Sequence, residues 1–178
     1  VAVLISLLAV VLIVFSARRP NVRELWTILA AVAKFGVVLS MLPEVLDGKC
    51  LEVVLFDISP GISLALRADT LGIFFALSAS ALWIATSFFS VGYMRGLAEE
   101  KQTRYFASFA LCLSATMGIA FSANLLTFVI FYEILTIATY PLVIHRETPE
   151  AIAAGRKYLA YLLTGGLALI VAVALTYQ

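Results

Sequence analysis

The chain has 178 residues, of which 63% are hydrophobic and 13% charged, and its formal net charge is +1. A soluble domain keeps its apolar share near about 45–50%, so this composition indicates a protein whose solvent is lipid. The near-neutral charge argues against a nucleic-acid partner. The sequence shows no metal-ligand cluster, phosphate-binding loop or Ser/His/Asp pattern, which argues against a standalone enzyme.

Six segments have the roughly 20 mostly apolar residues that a membrane-spanning helix needs. The predicted fold is all-α: a polytopic bundle of six transmembrane helices, forming a single domain over residues 1–178. Charged residues follow the first apolar run and none precedes it, which distinguishes it from a signal peptide. The predicted helices lie at about 1–15, 25–46, 69–93, 105–121, 124–144 and 150–176.

The segments between the predicted helices also contain sequence patterns that indicate structure. Between helices two and three, β-branched residues on both sides of Pro60 and Gly61 predict a short β-hairpin. Only a few residues join helices four and five, which must therefore be antiparallel neighbours. Thr148 and Pro149 have the cap-then-proline pattern of a helix start.

Basic residues are unevenly distributed between the two ends of the bundle. Two lie in the loop between helices two and three, Lys49 and Arg67, while Lys34 lies within helix two. By the positive-inside rule, the N-terminus and the hairpin are expected outside a cell inner (plasma) membrane. The nine residues on the expected cytoplasmic side are Arg18, Arg19, Arg23, Arg95, Lys101, Arg104, Arg146, Arg156 and Lys157.

Glu133 stands near the midpoint of the fifth apolar segment, too deep to reach the surface. An acid at a helix centre costs about 2.5–3.5 kcal/mol on insertion scales, and such residues usually face a bundle interior and have a partner. Thr136, Ile137 and Tyr140 follow at positions that share its helix face. We interpret Glu133 as a group that takes and gives a proton; the alternative is a packing salt bridge.

Lys157 is a second candidate for proton translocation, and Lys34, His145, Tyr140 and Asp69 are candidates for accessory roles. Lys157, two turns into helix six, is the candidate partner of Glu133, although it or Arg156 could extend to the surface instead. Lys34 either has a functional role or extends its long side chain to the headgroups. His145 fits a surface position at the end of helix five, and Asp69 fits a cap at the start of helix three.

Gly165 and Gly166 lie in the middle of helix six. Close helix packing is the common reason for small residues in membranes, and a flexible point in a transport path is the rarer one.

Three stretches resemble a known family: "RADTLGIFFALSASALWIATSFFSVGYMRG", "RYFASFALCLSATMGIAFSANLLTFVIFYEILTIATYPLV" and "AAGRKYLAYLL". They look like helices three to six of the antiporter-like membrane subunits shared by respiratory complex I (NADH-quinone oxidoreductase), Mrp-type multisubunit cation/proton antiporters and membrane-bound hydrogenases. Within this family, the amino-acid sequence is most similar to the D-type subunits of the Mrp antiporters. The resemblance places Glu133 at the family's essential fifth-helix glutamate and Lys157 at its sixth-helix lysine.

The resemblance implies proton translocation, with sodium as a possible coupled ion, alongside other membrane subunits and without a bound cofactor. Family members carry more than twice as many helices, so the sequence is expected to be the N-terminal part of a longer subunit, or a split subunit. Three functions stay open: a cation/proton antiporter subunit, a proton-pumping subunit of a quinone reductase or hydrogenase, and a non-conducting scaffold fragment.

Overall fold

The computed structural model describes residues 1–59, 62–97 and 99–177. Within them the chain forms six helices and one two-stranded hairpin, which confirms the predicted helical fold and the hairpin between the second and third helices. The elements are α1 Ala2–Phe15, α2 Pro20–Leu46, β1 Leu51–Ser59, β2 Ile62–Ala68, α3 Thr70–Gly96, α4 Gln102–Ala120, α5 Leu125–Val143 and α6 Pro149–Thr176.

Four of these helices, α2, α3, α5 and α6, are long and apolar enough to cross a membrane. α1 is apolar but only 14 residues long. α4 packs against α1 and α5 and also touches α2 and α3. Since its faces meet other helices rather than lipid, α4 can carry small and polar residues at buried positions, and its sequence is correspondingly less apolar.

α2 begins at Pro20, five residues before the predicted start at residue 25. Proline suits the first turn of a helix, where its missing N–H would have no helical partner. The first turns also contain Arg23 and Glu24, each only 4% exposed. The apolar run alone underestimates the length of α2, because the polar first turns of this helix are buried against other helices.

Side-chain caps define the starts of three helices. The Asp69 carboxylate accepts a hydrogen bond from the Gly72 N–H at 2.7 Å, so the capping interpretation of Asp69 is what the structure shows. The Thr148 hydroxyl oxygen accepts from the Ala151 N–H at 3.2 Å, as the sequence predicted for α6. The Asn124 side chain caps α5 in the same way.

The hairpin is antiparallel and docks on the turn between α4 and α5. Leu51 pairs with Ala68 at its open end, while the predicted turn at Pro60 and Gly61 lies outside the described residues. The Arg67 N–H donates to the Phe121 carbonyl at 2.6 Å, and the Ala123 N–H donates to the Ala65 carbonyl at 3.0 Å. We call this side of the bundle, with residues 51–59, 62–68 and 121–124, the hairpin end.

The opposite side carries the loops at residues 16–19, 97–101 and 144–148, and we call it the basic end. Two of its loops are joined by ion pairs of Glu147 with Lys101 and Arg104. Hydrogen bonds from these two cations hold the pKa of the Glu147 carboxyl below its usual value. Lys101 and Glu147 both have left-handed backbone conformations, with φ of 53° and 52°. The pair therefore fixes two strained turns against each other.

Candidate functional site

Glu133 lies between α5 and α6, halfway along α5 and at the level of Gly166 in α6. Its Oε1 is buried and has no hydrogen-bond partner among the described residues. The carboxylate rests against Gly166, where an added Cβ would overlap Oε1 and lie 2.8 Å from the carboxyl carbon. Gly166 therefore has a specific use that the sequence did not reveal: it makes room on α6 for the acid of α5.

Polar and aromatic groups continue from Glu133 along the α5–α6 contact towards the basic end. The Thr139 and Tyr158 hydroxyls lie 2.5 Å apart. One helical position further along α5, the Tyr140 ring packs where a Cβ at Gly155 would lie 3.0 Å from it. Tyr140 lies seven residues from Glu133, or about 10 Å along the helix. Hydroxyl groups thus stand between the buried acid and the basic end.

The residues predicted to share a helix face with Glu133 do not all face the bundle. Thr136 is 3% exposed and its hydroxyl donates to the Tyr132 carbonyl at 3.2 Å, whereas Ile137 is 65% exposed. Thr136 and Tyr140 thus face the bundle with Glu133, and Ile137 faces outward.

Lys157 is not brought to Glu133. It is exposed, and the described residues contain no ion pair between the two. The positions of α6 that meet α5 include Gly155 and Tyr158. Lys157 follows Gly155 by two positions, or about 200° around the helix, so it faces away from α5. A part for Lys157 in proton transfer remains a prediction that concerns this outer face of α6.

Lys34 is fully buried, with 0% of the residue exposed. Its Nζ donates to the Leu113 carbonyl of α4 at 3.3 Å and lies 4.3 Å from the centre of the Trp83 ring of α3. This cation–π geometry favours the ammonium form. The side chain stays in the bundle interior and does not extend to the membrane surface.

A buried ionic cluster at the basic end was not predicted from the sequence. Glu24 forms ion pairs with Arg95 of α3 and, at 3.6 Å, with Arg23. Arg23 also donates to the Thr103 hydroxyl at 3.0 Å and to the Gln102 side-chain oxygen at 2.6 Å. The cluster joins α2, α3 and α4. Charge and spacing alone do not reveal which loop-proximal arginines turn inward.

His145 lies in a cleft at the basic end rather than on an open surface. The cleft has a volume of about 330 Å³ and is lined in part by Tyr93, Tyr105 and Glu99. The His145 ring meets the Tyr105 ring edge-on at 5.7 Å. Burial, and then the nearby Arg104, lower the pKa of His145 from its ordinary value. This environment therefore favours the neutral form of His145.

Comparisons with known proteins agree with this arrangement. Residues 122–178 match the family model described as NADH:quinone oxidoreductase/Mrp antiporter, TM. The resemblance to the antiporter-like membrane subunits is therefore confirmed. The matched segment contains Glu133, Gly166 and all of α5 and α6. Comparison with curated protein sequences gives no match.

Two solved structures share the fold over 99% of this chain, each at 19% sequence identity. One is the membrane-bound sulfane sulfur reductase, an archaeal respiratory membrane complex, with a TM-score of 0.84. The other is the Mrp complex from Dietzia sp. DQ12-45-1b, with a TM-score of 0.80. This chain spans 36% and 34% of the matched chains, about a third of their length.

Proposed function

We propose that this chain is a proton-translocating membrane subunit of a multisubunit cation/proton antiporter, most like the D-type subunits of the Mrp antiporters. All six helices cross the membrane in this proposal, with the N-terminus and the hairpin end outside. Glu133 is the group that carries the proton. Support comes from the antiporter-like family match and from the buried acid within it.

The observation that carries the proposal is the Glu133 carboxylate in its site on Gly166. A permanently ionised acid at this depth would require a base or several hydrogen-bond donors. Oε1 instead has no partner among the described residues, while α6 leaves space for the carboxylate. A carboxyl group that changes charge, next to space and nearby hydroxyls, is what proton transfer needs.

The test is Glu133→Gln in the assembled complex, assayed by cation-driven pH changes in inverted membrane vesicles. Gln keeps the size of the side chain and removes its titration, so we expect cation/proton exchange to be lost while assembly stays normal. Glu150→Gln is the matched control, because Glu150 is an exposed acid in the first turn of α6. Unchanged exchange in Glu133→Gln, with normal assembly, would contradict the proposal.

The same variants separate the alternatives. A scaffold fragment predicts that Glu133→Leu disturbs assembly while Glu133→Gln changes nothing. A redox-driven pump predicts that Glu133→Gln abolishes proton pumping coupled to electron transfer in a complex that contains redox subunits. The proteins that co-purify with this chain therefore decide between an antiporter and a respiratory or hydrogenase membrane arm.

A further inference from the structure

Lys34 marks a second polar region, inside the α1–α4 part of the bundle. Its Nζ contacts α3 through Trp83 and α4 through the Leu113 carbonyl. The next residue of α4, Ser114, donates its hydroxyl to the Val3 carbonyl of α1 at 3.0 Å, so α1 reaches the same level. Ser6, one turn further along α1, is fully buried and its hydroxyl has no partner among the described residues.

The surroundings of Lys34 differ from those of the other buried base. Arg23 has a carboxylate beside it and two further side-chain acceptors. Lys34 has one carbonyl and one aromatic face, and none of the ion pairs among the described residues includes it. A lysine in the membrane interior without a carboxylate is costly as a permanent cation. Since an amine can become neutral and a guanidinium cannot, the difference in residue type fits a group that changes charge.

Other titratable groups on the elements packed around Lys34 are few. α1 has none in its sequence, and on α4 the buried Cys112 thiol is the nearest to Leu113 in sequence. All but one of the remaining groups lie at the basic end, and the exception, Glu44 of α2, is exposed near the hairpin end; those at the basic end are Arg23 and Glu24 on α2, Tyr93 and Arg95 on α3, and Arg104 and Tyr105 on α4. The two carboxylates of α2, Glu24 and Glu44, are each ten residues from Lys34; Glu24 is bound by two arginines and Glu44 is exposed.

Buried hydrogen-bonding groups lie between the level of Lys34 and the cleft at the basic end. Trp83, Ser87 and Ser90 lie on one face of α3 at helical spacing. All three are buried, and the Trp83 Nε1 and the Ser87 hydroxyl have no partner among the described residues. The Ser90 hydroxyl lies 3.2 Å from the Tyr105 hydroxyl. Tyr105 in turn lines the cleft that contains His145.

We propose that Lys34 is a second proton-binding site, filled from the basic end along Tyr105, Ser90 and Ser87. A proton enters at the cleft, each hydroxyl accepts one proton and passes on another, and the Lys34 amine becomes an ammonium. The reverse sequence releases the proton, and no bond between heavy atoms changes. The Trp83 face and the Leu113 carbonyl stabilise the ammonium, and the uncharged interior stabilises the amine.

This site extends the proposed proton transport but uses helices and residues separate from Glu133. The decisive measurement is the ¹⁵N NMR signal of the lysine Nζ atoms, recorded against pH for the full chain in lipid nanodiscs. The sequence has only four lysines, Lys34, Lys49, Lys101 and Lys157, so the spectrum is simple. Lys34→Arg assigns the signal, and Arg substitutions at the other three assign it by elimination should that variant not fold.

We expect the Lys34 signal to change between the ammonium and the amine form within the pH range in which the chain stays folded. Ser87→Ala should slow proton exchange at Lys34 several-fold, whereas Ser78→Ala, at an exposed serine of the same helix, should not. A Lys34 signal that stays ammonium throughout that pH range, or equal exchange rates in the two serine variants, would overturn the proposal.

Repeating the NMR titration of Lys34 in the Glu133→Gln variant distinguishes the Lys34 site from the proposed function of Glu133. Lys34 should titrate unchanged in that variant, whatever happens to transport. If Glu133→Gln transports normally and Lys34 still titrates, the proposed function is wrong and the Lys34 site stands. If Glu133→Gln abolishes transport and Lys34 stays charged, the reverse holds.

Discussion

Replacing Gly166 with alanine should impair transport through Glu133 while leaving the fold intact. The new methyl group would lie 2.8 Å from the Glu133 carboxyl carbon and 3.2 Å from Oε2. Ordinary contact begins at 3.4 Å, so the carboxyl carbon must move by at least 0.6 Å (3.4 − 2.8). Adding a methyl group to a packed interior costs about 1–3 kcal/mol, but here the end of a flexible side chain can move away.

Alanine also favours a helix over glycine by about 1 kcal/mol, so we expect the free energy of unfolding to change by less than about 1 kcal/mol. Displacing a reacting group by about 1 Å can lower a rate by up to about 100-fold, and we expect roughly a tenfold loss of exchange. Gly165→Ala is the matched control, because a Cβ there has no neighbour within 4 Å.

Both variants are assayed for cation/proton exchange in inverted vesicles and for thermal unfolding in detergent. Equal exchange rates in Gly166→Ala and Gly165→Ala would refute the reasoning, because the position of the Glu133 carboxylate would then not matter. Failure of the Gly166→Ala chain to assemble would also contradict this reasoning, because the end of the Glu133 side chain is expected to move away from the new methyl group.

Two further predictions concern the basic end. Since the pKa of His145 is lowered, protonation opposes the folded state. The stability from neutral His145 is therefore full above its ordinary value of 6.5 and is lost as pH falls below it. The protection factors of loop 144–148 against hydrogen exchange, relative to the intrinsic rate at each pH, should fall on acidification, and His145→Gln should flatten that fall; the same fall in the variant would exclude His145 as the cause. Glu24→Gln should cost about 3 kcal/mol, because it leaves Arg23, whose side chain is 5% exposed, without a carboxylate. Glu99→Gln, whose partner is 68% exposed, should cost less than about 1 kcal/mol, and equal losses in chemical denaturation would show that the Glu24 cluster is not buried.

The sequence predicts the helices of this protein well because apolar length is a local property. The hairpin and the Thr148 cap are local signals too, and both are present in the structure. The predicted start of α2 is wrong because its polar first turns are buried by partners distant in sequence. The α2–α4 and α2–α3 contacts that bury Arg23 and Glu24 could not be read from one segment alone.

The sequence predicts those features of the candidate site that belong to a single helix, but not the contacts between helices. Glu133 is conspicuous because it is an acid at mid-depth, and the sequence identifies it without any knowledge of its neighbours. Its contact with Gly166 depends on how α6 is rotated and shifted against α5, which hydropathy does not encode. For the same reason, the outward orientation of Lys157 could not be predicted from the sequence. Lys34 has two interpretations from the sequence, although Ala31 and Val38, at helical spacing from it, are also buried.

The central position of α4 has a consequence for how this protein is made. A segment with serine, threonine and glycine facing its neighbours gains less from lipid contact than the helices around it. Residues 121–124 join it to α5, whose apolar run follows almost at once. We expect the two to be inserted by the translocon as one helical pair, with α5 drawing α4 into the bilayer. Synthesis halted before residue 125 should then leave α4 at the membrane surface, and a protease-protection experiment on stalled chains would detect it.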